Sequence, residues 1–309
     1  MKKYLTITVR EQMQGMTVEK VLYDYLELTK KQVSRAKFRP DGICKNKVQC
    51  RVTEKVSMGD EICICLETDE IQSAQLVLAK IQGERLRILY EDEDLIFVDK
   101  PAGIVSHPSK GHLSDSMING VQAYFENEGR EKNERSNIHL IGRLDKETSG
   151  ILGIAKNSVT AERMIKQRQR GILIKEYYAL VKGNPPEEGI LEIPMEEMRD
   201  ARDGDKLKMK VGKSENAKTA KTFFQVVKRF EKFSLVSLVI ETGRTHQIRF
   251  HMASIGCPLL GDSFYGDGPE LGISRTALHA QQLTFTHPFC EKVMRIESEM
   301  PKDLSFLLR

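Results

Sequence analysis

The stretch GRLDKETSG, Gly142 to Gly150, sets Arg143, Asp145, Lys146, Glu147, Thr148 and Ser149 between two glycines. Singly, its Asp, Thr or Ser would serve as a helix cap. Together with two cations they compose a loop that could present one carboxylate to a reacting group. A second dense patch, ETGRTHQIRFHMASIGCPLLGD (241–262), offers Arg244, His246, Arg249 and His251 within eight positions. A strand LVSLVIETG followed by a helix THQIRFHMASIG, capped by Thr245, would put residues 246, 249 and 250 on one face. Taken alone, Arg249 and His251 read as solvated helix surface. In KEYYALVKG, Tyr177, Ala179 and Val181 fall on one side of a strand and Tyr178 and Leu180 on the other, as in core packing.

Other chemistries find little support. No glycine-rich phosphate cradle is present. Ser106 and Ser149 lack the G-x-S-x-G elbow, although His107, His246, His251 and His279 are available as bases. Six cysteines, Cys44, Cys50, Cys63, Cys65, Cys257 and Cys290, include no C-x-x-C pair and no His/Cys cluster, so no metal is expected. A hydrolase with paired carboxylates would need a second acid in a comparable motif, and Glu147 and Glu241 are weak candidates.

These residues must be positioned by the surrounding elements. TVEKVLYDYLELT (17–29) has helical spacing after a capping Thr17, and KKQVSRAKFR continues as a second amphipathic piece. DGICKNKVQC reads as strand, turn and strand, with Gly42 and Asn46 as the turn residues. Gly59-Asp60 turns into a strand where Cys63 and Cys65 alternate with Ile62, Ile64 and Leu66. Residues 30–55 carry nine Lys/Arg against two acids, while the whole chain of 309 residues has a net charge of only +4. That local asymmetry fits a phosphate-facing surface as well as a solvated lysine-rich one. Residues 67–87 read as a linker, and a larger domain, 88–309, follows. There the acidic turn Glu91–Asp94 separates two strands, 126–137 is a polar surface loop, SVTAERMIKQRQRG is a basic helix ended by Gly171, and 199–221 is an exposed basic excursion. Strands outnumber helices without regular alternation, which predicts an α+β fold on a mixed, mostly antiparallel sheet flanked by helices and loops. The N-terminus has no secretory core and no run approaches ~18 apolar residues, so a reduced, cytoplasmic protein without a membrane span is expected.

The ordered set VDKPAGIVSHPSKG, GRLDKETSGILGIAK, KEYYALVKG, ETGRTHQIRFHMASIGCPLLGDSFYG and LHAQQLTFTHPF resembles the RluA-type pseudouridine synthases over roughly residues 88–290. Residues 1–66, with DGICKNK and VSMGDEI, resemble the α-L RNA-binding module of ribosomal proteins. The chain departs from the family's common form at one place. Gly142 stands where histidine usually precedes Arg-Leu-Asp, and His139 lies three residues too early to replace it.

The resemblance implies isomerisation of uridine within RNA, by base flipping and without cofactor or metal. It implies Asp145 at the ribose, Tyr177 under the uracil with a hydroxyl able to act at carbon 5, and Arg249 as the partner of Asp145. Arg143 is implied at the space left by the displaced base. Lys100, His107, Thr148, Arg244 and His246 are candidates for lining the substrate site, with Thr148 and Ser149 as loop-fixing hydrogen-bonders. Lys30, Lys31, Arg35, Lys37, Arg39, Lys45 and Lys47 are candidate RNA contacts of the N-terminal module. Large-subunit ribosomal RNA is the first substrate to expect and transfer RNA the second, with the protein acting as a monomer. The competing reading is an RNA-binding or RNA-folding factor on a degenerate synthase scaffold.

Overall fold

Short apolar strand segments dominate this chain, and the sheets they build carry the site. The computed structural model describes residues 2–37, 39, 42–67, 86–109, 112, 115–130, 137–200 and 206–308. The N-terminal part contains β1 (Lys2–Thr8), α1 (Val18–Asp24), α2 (Lys30–Ala36), β2 (Ile43–Lys45), β3 (Val48–Gln49) and β4 (Glu61–Glu67), with its strands in the order β1-β4-β2-β3. Thr17 caps α1, and Thr29 with Gln32 forms a capping box on α2. Ile62 and Ile64 pack with Leu5, Ile43, Val21, Leu22 and Val33 into one core. The sequence reading missed β1, whose KKYLTIT segment pairs antiparallel along the whole of β4. It also misplaced one turn residue. Asn46 and Lys47, both at positive φ (52° and 66°), make the hairpin turn, whereas Gly42 lies against the end of α2.

The larger part contains β5 (Ile88–Glu91), β6 (Leu95–Lys100), α3 (Met117–Asn127), β7 (His139–Leu140), β8 (Ser149–Ala155), α4 (Ser158–Gln169) and β9 (Ile174–Lys182). It continues through β10 (Glu188–Glu192), β11 (Met195–Asp200), β12 (Lys206–Val211), β13 (Lys221–Arg229), β14 (Phe233–Ile240) and α5 (Gln247–Ser254). It closes with β15 (Leu278–Thr286), β16 (Val293–Glu297) and α6 (Lys302–Ser305). The main sheet runs β10-β13-β14-β9-β15-β8-β6-β5, with β7 added beside β8 and β16 beside β15. Among the described residues only the β8–β15 pair is parallel, so the sheet is mixed and mostly antiparallel, as the strand pattern predicts.

Alternation gives this sheet two apolar faces. Ile96, Val98, Leu152, Ile154 and Leu238 pack under Met117, Val121 and Phe125 of α3, a helix the sequence reading missed. Phe97, Ile151 and Phe285 meet Met164 of α4 on the other face. The expected basic excursion at 199–221 is in part a two-stranded ribbon of β11 and β12, anchored by Met195 and Met209 against Phe250. Its residues 201–205 lie outside the described residues, as do 68–85 of the expected linker and 131–136 of the expected polar loop. Helix α4 also touches the N-terminal part. Val159 joins that core, Arg163 donates to Leu26 O (3.2 Å), and Lys166 donates to Glu27 O (2.5 Å). Among the described residues no helix is long and apolar enough to cross a membrane.

Candidate active site

Residues 143–147 connect β7 to β8 and are clamped from two sides. From one side, Ser106 Oγ donates to Leu144 O (2.7 Å) and accepts from Leu144 N (3.0 Å), while Gly103 N donates to Lys146 O (2.8 Å). From the other, Arg275 donates to Glu147 O (3.0 Å), and the Glu147 carboxylate accepts from Thr276 N (3.1 Å). Thr148 N closes the turn on Asp145 O (3.1 Å). A short loop with this many fixed backbone groups loses little further entropy when a substrate arrives, which is how a carboxylate is held ready.

Lys100 belongs to this brace. It is fully buried, and its ammonium donates to Pro101 O (2.9 Å), Ile104 O (2.6 Å) and Lys146 O (3.0 Å). Burial pushes its pKa down to about 7, with the Asp145 charge opposing. The expectation that Lys100 lines the cleft is therefore corrected: all three of its donors are spent on the backbone behind the loop. His107 is exposed and its Nδ1 faces Pro108 O (2.9 Å), so it does not join Asp145 either.

Strand register brings the tyrosine to the carboxylate. Ala280 of β15 stands opposite Gly150 of β8 on one flank and opposite Tyr177 of β9 on the other. Gly150 has φ +105°, and a Cβ there would collide with the Ala280 backbone, 2.7 Å from its nitrogen. Glycine is thus required where β8 leaves the Asp145 loop, because no side chain fits between β8 and β15. Tyr177 is buried, and burial together with the Asp145 charge pushes its hydroxyl well above the usual phenol range.

Arg249 comes from α5, which begins at Gln247 and not at the expected Thr245. His246, at φ 55°, is the N-cap residue and makes no side-chain cap bond. Gln247 Oε1 instead accepts from Thr242 Oγ1 (2.7 Å) and Arg244 N (3.1 Å), tying the turn before the helix. Arg249 and His251 are buried, against the reading of the patch as solvated surface. Arg249 approaches Asp145 at 3.9 Å, but its bidentate partner is Asp262, reached by Nε at 2.6 Å and Nη2 at 2.8 Å. Burial works against both charges. The pair outweighs it, raising the arginine above its ordinary pKa and holding Asp262 below the usual carboxylate range. Asp262 also accepts from Phe264 N and Tyr265 N, and His246, Arg249 and Phe250 all pack on the Tyr265 ring. Burial and the neighbouring Arg249 hold His246 below its ordinary pKa.

Asp145, Arg143, Tyr177, Arg168, Lys175 and Arg244 line a cleft of about 260 Å³ whose wall includes Gly142. A smaller recess shares Asp145 and Tyr177 and adds Thr148, His246 and Arg249. Four cationic side chains around one clamped carboxylate suit a polyanion whose reacting atom must meet that carboxylate. Ser149 does hydrogen-bond His279 (3.0 Å), but both are buried, and the other ring nitrogen faces Ser298 O, where an acyl-transfer triad has a carboxylate. Among the described residues no His, Cys, Asp or Glu cluster could hold a metal. The sequence reading missed Asp262, Lys175 and Arg168 as site residues. Lys175 carried a usable signal, standing two residues before Tyr177 on the same face of a strand.

Of the N-terminal basic residues, Lys30, Lys37 and Lys47 are exposed, and Arg39 is partly buried. Lys45, also partly buried, reaches Glu54 (3.6 Å) and Lys55 O (3.3 Å). The backbone of Lys31 and Arg35 lies in α2, and their side chains lie outside the described residues.

Fold and cleft together define an enzyme class: a mixed-sheet catalyst that offers one clamped carboxylate, beside a buried tyrosine and arginine, to a polyanionic substrate. The RNA pseudouridylate synthase family matches residues 94–254. The RNA pseudouridine synthase YlyB of Bacillus subtilis is 33% identical over 98% of this chain and 97% of its own length. Ribosomal large subunit pseudouridine synthase D of Nitrosomonas europaea is 30% identical over 99% of this chain and 87% of its own. The solved structure of human RNA pseudouridylate synthase domain containing 4 superposes with a TM-score of 0.58 at 26% identity, covering 72% of this chain and 91% of that one. The chain belongs to the RNA pseudouridine synthase family, in its RluA-type branch, and is an enzyme that isomerises uridine in RNA to pseudouridine.

Proposed function

We propose that this synthase modifies specific uridines of large-subunit ribosomal RNA as a monomer in the cytoplasm, with Asp145 as its catalytic carboxylate. The observation that carries the assignment is the clamped loop, which presents Asp145 to a cleft shared with Tyr177 and four cations. The glycosidic bond must break, the freed base must turn, and carbon 5 must join the ribose. No atom is gained or lost, so the chemistry calls for positioning, a carboxylate at the ribose and an environment for a charged base. Tyr177 supplies a buried ring on which uracil can stack, and its raised pKa favours the neutral phenol over a phenolate base. Arg249, fixed by Asp262, supplies the positive charge nearest Asp145. Arg143, exposed at the cleft mouth, is suited to the space the flipped nucleotide leaves in the stack, where unstacking costs a few kcal/mol.

The large-subunit RNA substrate rests on relatives such as the Nitrosomonas enzyme, aligned over nearly all of this chain. The test is to incubate RNA from a strain lacking the gene with the purified protein and map pseudouridine. Conversion of large-subunit positions by the wild type, and none by Asp145→Asn, is the expected result. Full turnover in Asp145→Asn would overturn the carboxylate assignment, and conversion confined to transfer RNA would overturn the substrate assignment.

A further inference from the structure

The reaction just described has one requirement that Asp145, Tyr177 and Arg249 leave unmet. When the bond between N1 and the ribose breaks, its electron pair stays on the uracil, and that ring carries a negative charge until carbon 5 joins the ribose. The C5 proton then leaves and one is taken up at N1, so the isomerisation balances. A freed anion held in a dry cleft needs a positive group facing it.

We infer that Lys175 is a further catalytic residue, whose ammonium faces the departing uracil and offsets its charge; this rests on the synthase mechanism proposed above. Lys175 lies on β9 two residues before Tyr177, so both side chains project from one face of the strand into the same cleft. Its ammonium sits 5.7 Å from the centre of the Tyr177 ring, the proposed platform for the base. The residues beside it in register are Leu283 on β15 and Ile240, following Val239 in register on β14, both apolar. Gly142 leaves this part of the cleft unfilled, with no atom within 4 Å of where a Cβ would lie.

What Lys175 lacks is as informative as what it touches. Lys100 spends its three donors on carbonyls and Arg249 is held by Asp262, but the Lys175 ammonium has no hydrogen bond or ion pair with any described residue. The charged and titratable groups around the same cleft are Asp145, Glu241, Arg143, Arg168, Arg244 and Tyr177. Neither acid pairs with it. A partly buried cation without a partner is costly in the free protein, and an anion arriving in the cleft removes that cost. Burial, and then the Arg168 charge, push its pKa down to about 8. In the free enzyme its charge is therefore lost as pH rises through about 8. Arg143 and Arg168 are exposed and suit the phosphates of the chain, whereas Lys175 is set deeper, beside the base.

The experiment uses the full-length protein and large-subunit RNA from a deletion strain, with wild type, Lys175→Met, Lys175→Arg and Asp145→Asn assayed together. Lys175→Met should lower kcat roughly 100-fold, the usual loss on removing one preorganised donor, while changing KM less than about threefold. Lys175→Arg should restore most of kcat, because arginine keeps the charge. The wild-type decline in kcat/KM above about pH 8 should disappear in Lys175→Arg, whose guanidinium stays protonated; a decline due to Lys100 would persist. Unchanged kcat in Lys175→Met, or a Lys175→Arg that melts like wild type but is equally slow, would overturn the inference. A wild type that makes no pseudouridine in any RNA would refute the mechanism beneath it and be told apart by that result.

Discussion

Arg249 grips Asp262 through two hydrogen bonds of 2.6 and 2.8 Å and, so held, brings its remaining nitrogen to 3.9 Å from Asp145. The buried pair is thus asymmetric: Asp262 sets the arginine's orientation and Asp145 receives its field. Asp262 also fixes the Phe264 and Tyr265 backbone, so α5, the turn after it and the catalytic loop share one anchor.

Replacing Asp262 by Ala leaves Arg249 buried without its close partner, a loss that typically costs ~3–5 kcal/mol. The Asp262→Ala variant should show a lower urea midpoint and a fall in kcat, although Asp145 is untouched. Wild-type stability in that variant would mean that Asp145 or water satisfies Arg249 equally well.

Most of this architecture was legible because it is written in local sequence, as short apolar runs bounded by turn residues. The strands around Asp145, Tyr177 and Val236 are short, largely apolar runs, as befits a sheet covered on both faces, and the α4 helix ends at a glycine. The losses have physical reasons. The strand KKYLTIT carries little local signal, because it is stabilised by its pairing with β4, 53 or more residues away. Thr245 looked like a cap from sequence because Thr favours that position, yet Gln247 takes over the tying of the turn. Asp262 has no local signature, since an acid 13 residues from Arg249 meets it only after the chain reverses. Lys100 read as equally a surface lysine, because nothing local reveals that three carbonyls converge on its ammonium.

At Gly150 the prediction is steric. Alanine there meets the Ala280 backbone at a φ of +105° that L-residues avoid, and β8 cannot move without displacing the catalytic loop. Strain and overpacking together should cost roughly 2–5 kcal/mol. Thermal melts of Gly150→Ala should show a clear drop in Tm, and turnover should fall further than stability alone explains. A variant with wild-type Tm would show that the two strands have room to part.

Lys100 should leave a signature in the pH dependence of stability. Its folded-state pKa, near 7, lies below the value of an unfolded lysine, near 10.4. Between those values the unfolded chain holds more protons, so this group's contribution to stability grows as pH rises from 7 toward 10. Denaturant titrations at pH 7 and pH 9.5 should therefore show wild type gaining on Lys100→Met at the higher pH. An equal difference at both pH values would mean that the buried ammonium keeps its proton throughout. Turnover in Lys100→Met should also drop, because Lys146 O loses one of its two donors.

The basic N-terminal part calls for substitution rather than truncation. Val159 of α4 packs into its core, and Arg163 and Lys166 are bonded to Leu26 O and Glu27 O, so deleting residues 1–66 would expose apolar surface and strip partners from the catalytic part. Lys30, Lys37 and Lys47 are exposed, and changing all three to alanine leaves that contact intact. If each neutralises one phosphate, the slope of log affinity against log salt should shrink by about 0.7–0.9 per lysine, or roughly two in all. Turnover at saturating RNA should be unchanged, because none of the three reaches the cleft that holds Asp145. A slope identical to wild type would remove these lysines from the RNA interface and shift the weight of binding to Arg143, Arg168 and Arg244 around the catalytic cleft.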